Sequence, residues 1–178
     1  MTENPQNPVL IELTADLKDK FLAMAEDFHA AGENRHQVAA EDFAEFLNQL
    51  EMYRTGVNLP EGYVGYSAFY LFDGEKLLGS GNLRHELNEN LAVYGGHIGY
   101  TVRPSERGKG YGSLILQLTL EKARKLGFKK VFITCDADNI ASVKIIEKNG
   151  GKLENQMFYE PSGKLISQYW IQLEPNIE

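Results

Sequence analysis

Covalent cross-linking is out of reach for this chain, because Cys135 is its single cysteine. No internal disulfide can form, and a reducing compartment is the expected setting. Histidine is scarce too: there are four, and none is spaced from carboxylates or the cysteine as a metal ligand set requires, so no metal is expected. Basic residues are in deficit. Eighteen Lys and Arg stand against 25 Asp and Glu, for a formal charge of −7, which argues against a surface that neutralises phosphates; no nucleic-acid partner is expected. No apolar run approaches a membrane-spanning length, and Met1-Thr2-Glu3-Asn4-Pro5 lacks the basic and apolar stretches of a secretory leader. A cytoplasmic protein with no membrane partner is the expectation. There is no repeat, linker or low-complexity segment, so the 178 residues read as one domain over 1–178, with an apolar content of 43% and room for a sizeable core.

Glycine, by contrast, is plentiful and concentrated where it can do chemistry. The run Arg107-Gly108-Lys109-Gly110-Tyr111-Gly112 lies between a strand-like segment and a long amphipathic stretch. Glycines let several backbone N–H groups approach an anion closely. A helix opening there adds unpaired donors and the positive end of its dipole, worth roughly 0.3–1 kcal/mol to an anion, or about 2 when partly buried. The spacing is neither G-x-x-x-x-G-K-[ST] nor G-x-G-x-x-G. On these six residues alone an ordinary strand-to-helix turn remains an equal reading.

The neighbours supply the context. A short strand at Val9–Leu13 precedes a helix capped by Thr14 and ended by Gly32, with Leu17, Phe21, Met24, Ala25 and Phe28 on one face. A polar connection at Glu33–His36 leads to a second helix from about Ala40 to Arg54. Val64–Phe72, a turn at Asp73-Gly74 and Lys76–Leu83 read as a hairpin. His97–Val102 is a strand stopped by Pro104. Tyr111–Leu126 is a helix closed by Gly127, Lys130–Cys135 a buried strand, and Asn139 opens a helix ending at Asn149-Gly150. Lys152–Tyr159 and Lys164–Leu173 close the chain as a hairpin.

With Arg107, Gly110 and Gly112 matching [QR]-x-x-G-x-[GA], and a strand, Asn139 and a helix following in order, the chain resembles the GCN5-related N-acetyltransferase (GNAT) superfamily over about residues 64–173. The segments Arg84–Asn88, Gly95–His97 and Cys135–Asn139 look like a branch of predicted acetyltransferases within it. The resemblance implies an α/β (α+β) fold: a mixed central sheet, helices on both faces, and a splayed central strand pair. It implies acetyl-CoA as co-substrate and an amine of a small molecule or peptide as acceptor, with direct attack in a ternary complex. A homodimer is compatible with it. The alternative is a non-catalytic CoA-binding sensor or interaction protein.

Carried over residue by residue, the resemblance assigns pantetheine contacts to the strand at Tyr100, Thr101 and Val102. The pyrophosphate falls to Arg107, Gly108, Lys109, Gly110, Tyr111, Gly112 and Ser113. Asn139, with Ser142 behind it, would contact the pantetheine arm, or serve as a helix cap. His97 stands where many relatives place a glutamate base; it is also a candidate for a structural bond at the Gly95-Gly96 turn. The tyrosine that commonly protonates the leaving thiolate is replaced by Ile146, so Tyr159 becomes the substitute acid, against a plain packing role. Arg84 and His85 end the strand that should pair with the His97 strand, and are candidate substrate-binding residues for an acceptor carboxylate. Cys135 is expected to pack, because Asp136 and Asp138 would discourage a thiolate. The acidic residues Glu26, Asp27, Glu33, Glu41 and Glu45 suit either a cationic amine or a solvated helix face.

Overall fold

A computed structural model describes residues 7–173. The Met1–Pro5 segment read for a leader lies outside the described residues. Strand β1 (Val9–Ile11) pairs antiparallel with β2 (Tyr66–Phe72), β2 with β3 (Leu77–Arg84), and β3 with β4 (Ile98–Val102). A second antiparallel sheet has the order β5 (Lys130–Asp136), β7 (Lys164–Gln172), β6 (Gly151–Tyr159). Helices α1 (Lys18–Ala30), α2 (Gln37–Glu41) and α3 (Phe43–Thr55) precede β2. Helix α4 (Tyr111–Lys125) joins β4 to β5, and α5 (Ile140–Lys148) joins β5 to β6.

Most boundaries follow the sequence pattern, with three local departures. Thr14 makes no side-chain cap; a 3-10 turn at Ala15–Leu17 starts the helical run instead. The polar connection after α1 coils into α2 before Asp42, whose side chain accepts from the Glu45 N–H and starts α3. The expected Val9–Leu13 strand stops at Ile11, since Leu13 turns in to join the core under α1.

Two apolar clusters hold these layers. One packs Phe21, Met24, Phe28 and Phe43 of the N-terminal helices on Tyr70 and Leu77. The other sets Ile115, Leu116 and Leu120 of α4 beneath Leu71, Leu83, Ile98, Ile133 and Tyr169, and so spans both sheets. Burying each such side chain stabilises the fold by about 1.5–3 kcal/mol. α4 therefore backs both sheets, while α3 lies against β2. Among the described residues no helix is long and apolar enough to cross a membrane.

The sheets meet at one point. Gly96 bridges to Ile133, the His97 N–H donates to the Phe132 carbonyl at 2.7 Å, and the Phe132 N–H donates to His97 Nδ1 at 2.8 Å. Beyond this joint β4 and β5 belong to different sheets, so the edge of β4 facing away from β3 is free of strand partners among the described residues.

Gly96 has φ +66, and a Cβ there would overlap the Phe132 carbonyl oxygen and press on the Ile133 Cα. Gly96→Ala is expected to cost at least about 2 kcal/mol through left-handed strain and this overlap. A thermal melt is the check, with Gly32→Ala, which has φ +76 and open space around it, as the strain-only comparison.

Candidate active site

The β4 backbone has a fixed alternation. The Arg103 N–H donates to the Leu78 carbonyl, so within β4 the odd positions Gly99 and Thr101 face β3; His97 just before it is split, its carbonyl accepting from Arg84 N–H while its N–H turns to Phe132. By the period of two, the main-chain groups of Ile98, Tyr100 and Val102 face the opening beside β4. Tyr100 and Val102 thus turn their main-chain groups towards that opening. The Val102 carbonyl already accepts from Arg107 Nε at 3.2 Å.

The turn after β4 is an array of donors. Backbone N–H groups from Gly108 through Ser113 have no acceptor among the described residues. Gly108 and Gly110 adopt φ +79 and +87, and a Cβ at either would have nothing within 4 Å. Gly112 differs: a Cβ there would meet Ile145 Cδ1 at 2.9 Å and crowd Val102 and Tyr100. Two glycines open the backbone, and the third lets α4 press against β4 and α5.

The cationic side chains of this turn are already engaged. Arg107 pairs with Glu33 at 2.7 Å, and Lys109 with the buried Glu106 at 2.7 Å. Lys76 also donates to Glu106, and the two lysines hold its carboxyl below the usual glutamate range. Asp27 accepts from Arg103 Nε at 2.8 Å and Ser105 Oγ at 2.6 Å. The end of α1 thereby braces the turn, and the backbone is left as the main unengaged donor for an anion.

Across the opening, Asn139 caps α5 by accepting from Ser142 N–H at 3.1 Å. The Tyr100 ring reaches the same place. Its hydroxyl is buried without a hydrogen bond among the described residues, and burial pushes its pKa up, with nearby Ser142 opposing. Cys135 is buried, and its thiol is pushed up to about 11, first by burial and then by Asp136 and Glu147. It is a packed thiol.

His97 is half-buried against Phe128 and Trp170. Since Nδ1 accepts the Phe132 N–H, the neutral ring carries its proton on Nε2. In this arrangement neither nitrogen has a spare lone pair. Tyr159 ends β6 and stacks on Tyr94 at 5.0 Å between centroids. Tyr94 in turn reaches Asp136 at 3.4 Å, which places Tyr159 at the C-terminal end of β5. Ile146 is fully buried beneath Gly151, whose Cβ would overlap it, so core packing occupies the position at which the resemblance implies a tyrosine.

Arg84 and His85 part company. His85 Nε2 lies 2.9 Å from Ser67 Oγ, away from the cavities. Arg84 lines a cavity of about 400 Å³ between α3 and the face of β2–β4 opposite α4; Gly99, Tyr100 and Thr101 of β4 form its wall. His36 and Asn82 line it as well, and neither had a sequence motif to mark it. His36 has φ +65 and a buried Nε2 with no partner among the described residues. Asn82 Oδ1 accepts the Gly99 N–H at 2.8 Å. The acidic residues of the helices do not reach this wall: Glu26, Glu33 and Glu41 line a different cavity of about 580 Å³ on the outside of α1 and α2. Among the described residues no group of three or more His, Cys, Asp or Glu could hold a metal.

The His36 imidazole is pushed down to about 4, first by burial and then by the charge of Arg35. A folded-state pKa below the unfolded value of about 6.5 means that the stability is full above pH 6.5 and falls as pH drops towards 4. The loss attributable to His36 should reach about 3 kcal/mol near pH 4. Urea melts across this window are the measurement; His36→Asn, which tolerates the left-handed φ, should flatten the slope.

The fold has counterparts among known proteins. The description "Acetyltransferase (GNAT) domain" belongs to the family model that matches residues 9–152. No curated protein matches the sequence significantly. Among solved structures, a ribosomal L7/L12 alpha-N-protein acetyltransferase in complex with coenzyme A is similar at TM-score 0.68 and 19% identity, over 92% of this chain and 93% of that one. The microcin C7 self-immunity acetyltransferase, in complex with acetyl-CoA and AMP, is similar at TM-score 0.67 and 14% identity, over 93% and 92%. A chimeric spermidine N-acetyltransferase from Vibrio cholerae and hSSAT gives TM-score 0.63 and 17% identity, over 93% and 95%. With a matched model spanning most of its length and the splayed strands that go with it, this chain belongs to the GNAT acetyltransferase family.

Proposed function

We propose that the protein is an acetyl-CoA-dependent N-acetyltransferase acting as a single domain, with the acceptor amine entering from the cavity face of β4. The observation that carries this is the unbroken run of N–H groups from Gly108 to Ser113 without acceptors among the described residues, opening α4 beside the edge of β4 that has no strand partner among them. Those donors fit a pyrophosphate, and the outward main-chain groups of Tyr100 and Val102 fit an extended amide-bearing arm. Acetyl-CoA supplies an activated thioester: the acceptor nitrogen forms the new N–C bond, the C–S bond breaks with its electron pair going to sulfur, and the amine proton passes to solvent or sulfur.

The chain's own part is mainly positioning. Gly108 and Gly110 keep the donors accessible. Asn139 and Ser142 border the arm at the start of α5. The thiolate of CoA resembles a free thiol, of pKa about 8.5, and can depart without a strong acid. Tyr159 is the candidate proton donor from the chain, at the C-terminal end of β5. His97 is assigned to holding the joint open, since its Nδ1 is occupied.

Calorimetry with acetyl-CoA tests the cradle. Gly110→Val, forced to φ +87, should weaken binding at least tenfold. Arg107→Ala should weaken it less, because its charge is already offset by Glu33, and the loss should shrink as salt rises. Unchanged affinity in a folded Gly110→Val protein would reject the placement.

His97 has its own test. His97→Gln offers an amide oxygen to the Phe132 N–H and should keep turnover within a few-fold, with the pH profile unaltered, whereas His97→Ala should lose about 1–3 kcal/mol of stability. A fall of about 10²–10⁴ in turnover for His97→Gln, together with loss of the acid limb of the profile, would restore it as the base.

A further inference from the structure

The cavity beside β4 is electropositive in an acidic protein. No Asp or Glu lines it, and none lines the cavity of about 400 Å³ that adjoins it at Arg84 and Tyr66; Asp42 and Glu45 line a separate cavity that meets it at His36 and Phe46, at the end away from Arg84's neighbours Tyr66 and Asn82. Of its two arginines, Arg35 pairs with Glu33 at 3.6 Å. Arg84 has no carboxylate partner among the described residues. Its Nη1 donates to the Gly96 carbonyl at 2.8 Å, which fixes the side chain and leaves Nε and Nη2 without acceptors among those residues. Burial disfavours its charged form. A half-buried, anchored and unpaired guanidinium is costly to keep, and it gains most from an anion that pairs with it.

Asn82 stands two residues before Arg84 on the same strand, so both side chains share the cavity face, about 7 Å apart along β3. Asn82 Oδ1 is held by the Gly99 N–H, which turns its Nδ2 into a free donor at the same wall. The two side chains form a fork of donors next to Gly99 and Tyr100, while Phe46, Leu50 and Tyr70 supply an apolar lining. A polyamine would meet an unpaired arginine here and no carboxylate. A peptide N-terminus would leave the guanidinium without a counter-charge.

We propose that this cavity selects an amine that itself carries a carboxylate, a free α-amino acid, whose carboxylate is held by Arg84 and the Asn82 amide while its amine faces β4 at Gly99–Tyr100. This rests on the N-acetyltransferase reading above and names its acceptor. The bond changes are those already given: the amino nitrogen is acetylated, and CoA leaves as the thiol.

The test measures CoA-thiol release with apolar α-amino acids, their carboxamides and spermidine, alongside calorimetry of the same amino acids on the CoA-bound protein and of acetyl-CoA alone. Amino acids should exceed their carboxamides roughly 10- to 150-fold in kcat/KM and bind the CoA complex with a similar preference. Arg84→Gln should collapse that ratio towards one while leaving acetyl-CoA affinity intact. Because the ratio is taken within one preparation, partial misfolding of the variant cancels; Arg84→Lys should keep part of it. Preference for spermidine or carboxamides, an undiminished ratio in Arg84→Gln, or no amino-acid binding or turnover while acetyl-CoA still binds would each overturn the acceptor assignment and leave the cofactor reading standing. Failure of acetyl-CoA itself to bind would remove both.

Discussion

The rest of the site depends on the joint between Gly96-His97 and Phe132-Ile133. Two antiparallel sheets stacked edge to edge would normally zip along their whole length, because unpaired strand edges expose backbone donors and acceptors. Here the zipper comes down to the Gly96–Ile133 bridge with the His97-to-Phe132 backbone bond, the Gly95 N–H donating to Thr134 Oγ1, and one imidazole standing in for a carbonyl. A side chain that accepts the Phe132 N–H ends the ladder, since the next β4 residue is set off from β5 by the ring. The core under α4 then holds both sheets at this angle. An edge kept open between packed sheets can accept an extended ligand.

Electrostatics around the glycine turn follow the same logic of rigidity. Asp27, Glu33 and Glu106 each take a cation next to the turn. The Arg107–Glu33 pair is partly exposed, and pairs of that kind contribute little to global stability, a median near about 0–1 kcal/mol. Their value is local, because the acidic end of α1 braces Arg103 and Arg107 and so fixes the path of the backbone. An anion then meets preorganised N–H groups rather than mobile lysine and arginine heads, and the protein's overall charge of −7 is no obstacle to binding it.

On the opposite side of β4, the charge pattern reverses. Of the helix carboxylates that composition offered as an attraction for cationic acceptors, Asp27 and Glu33 are engaged at the turn, Glu26 and Glu41 lie around the outer cavity, and Glu45 lines a third cavity beside α3. The inner cavity keeps Arg84 uncompensated. On the proposed reading the site presents backbone dipoles to the cofactor and an oriented cation to the acceptor, on the two sides of the same short stretch of β4.

How much of this was legible in the sequence depends on the range of the interactions involved. The apolar stripe of α1, the Asn139 cap and the glycine turn are local, set by steric limits and hydrogen bonds within a few residues, and so element order and the candidate cradle from Arg107 to Ser113 could be read from the chain. Tertiary contacts decided the rest. His97 meets Phe132, 35 residues away, and that bond fixes its tautomer. Arg107 meets Glu33 across the chain, and Ile146 faces the core because Gly151 folds over it. Arg84 and His85 are adjacent in sequence, yet one enters the cavity and the other turns to Ser67. His36 and Asn82 carried no motif at all. Their importance comes from burial and from neighbours brought in by the fold, since a side chain's protonation and free hydrogen-bonding capacity are properties of its surroundings.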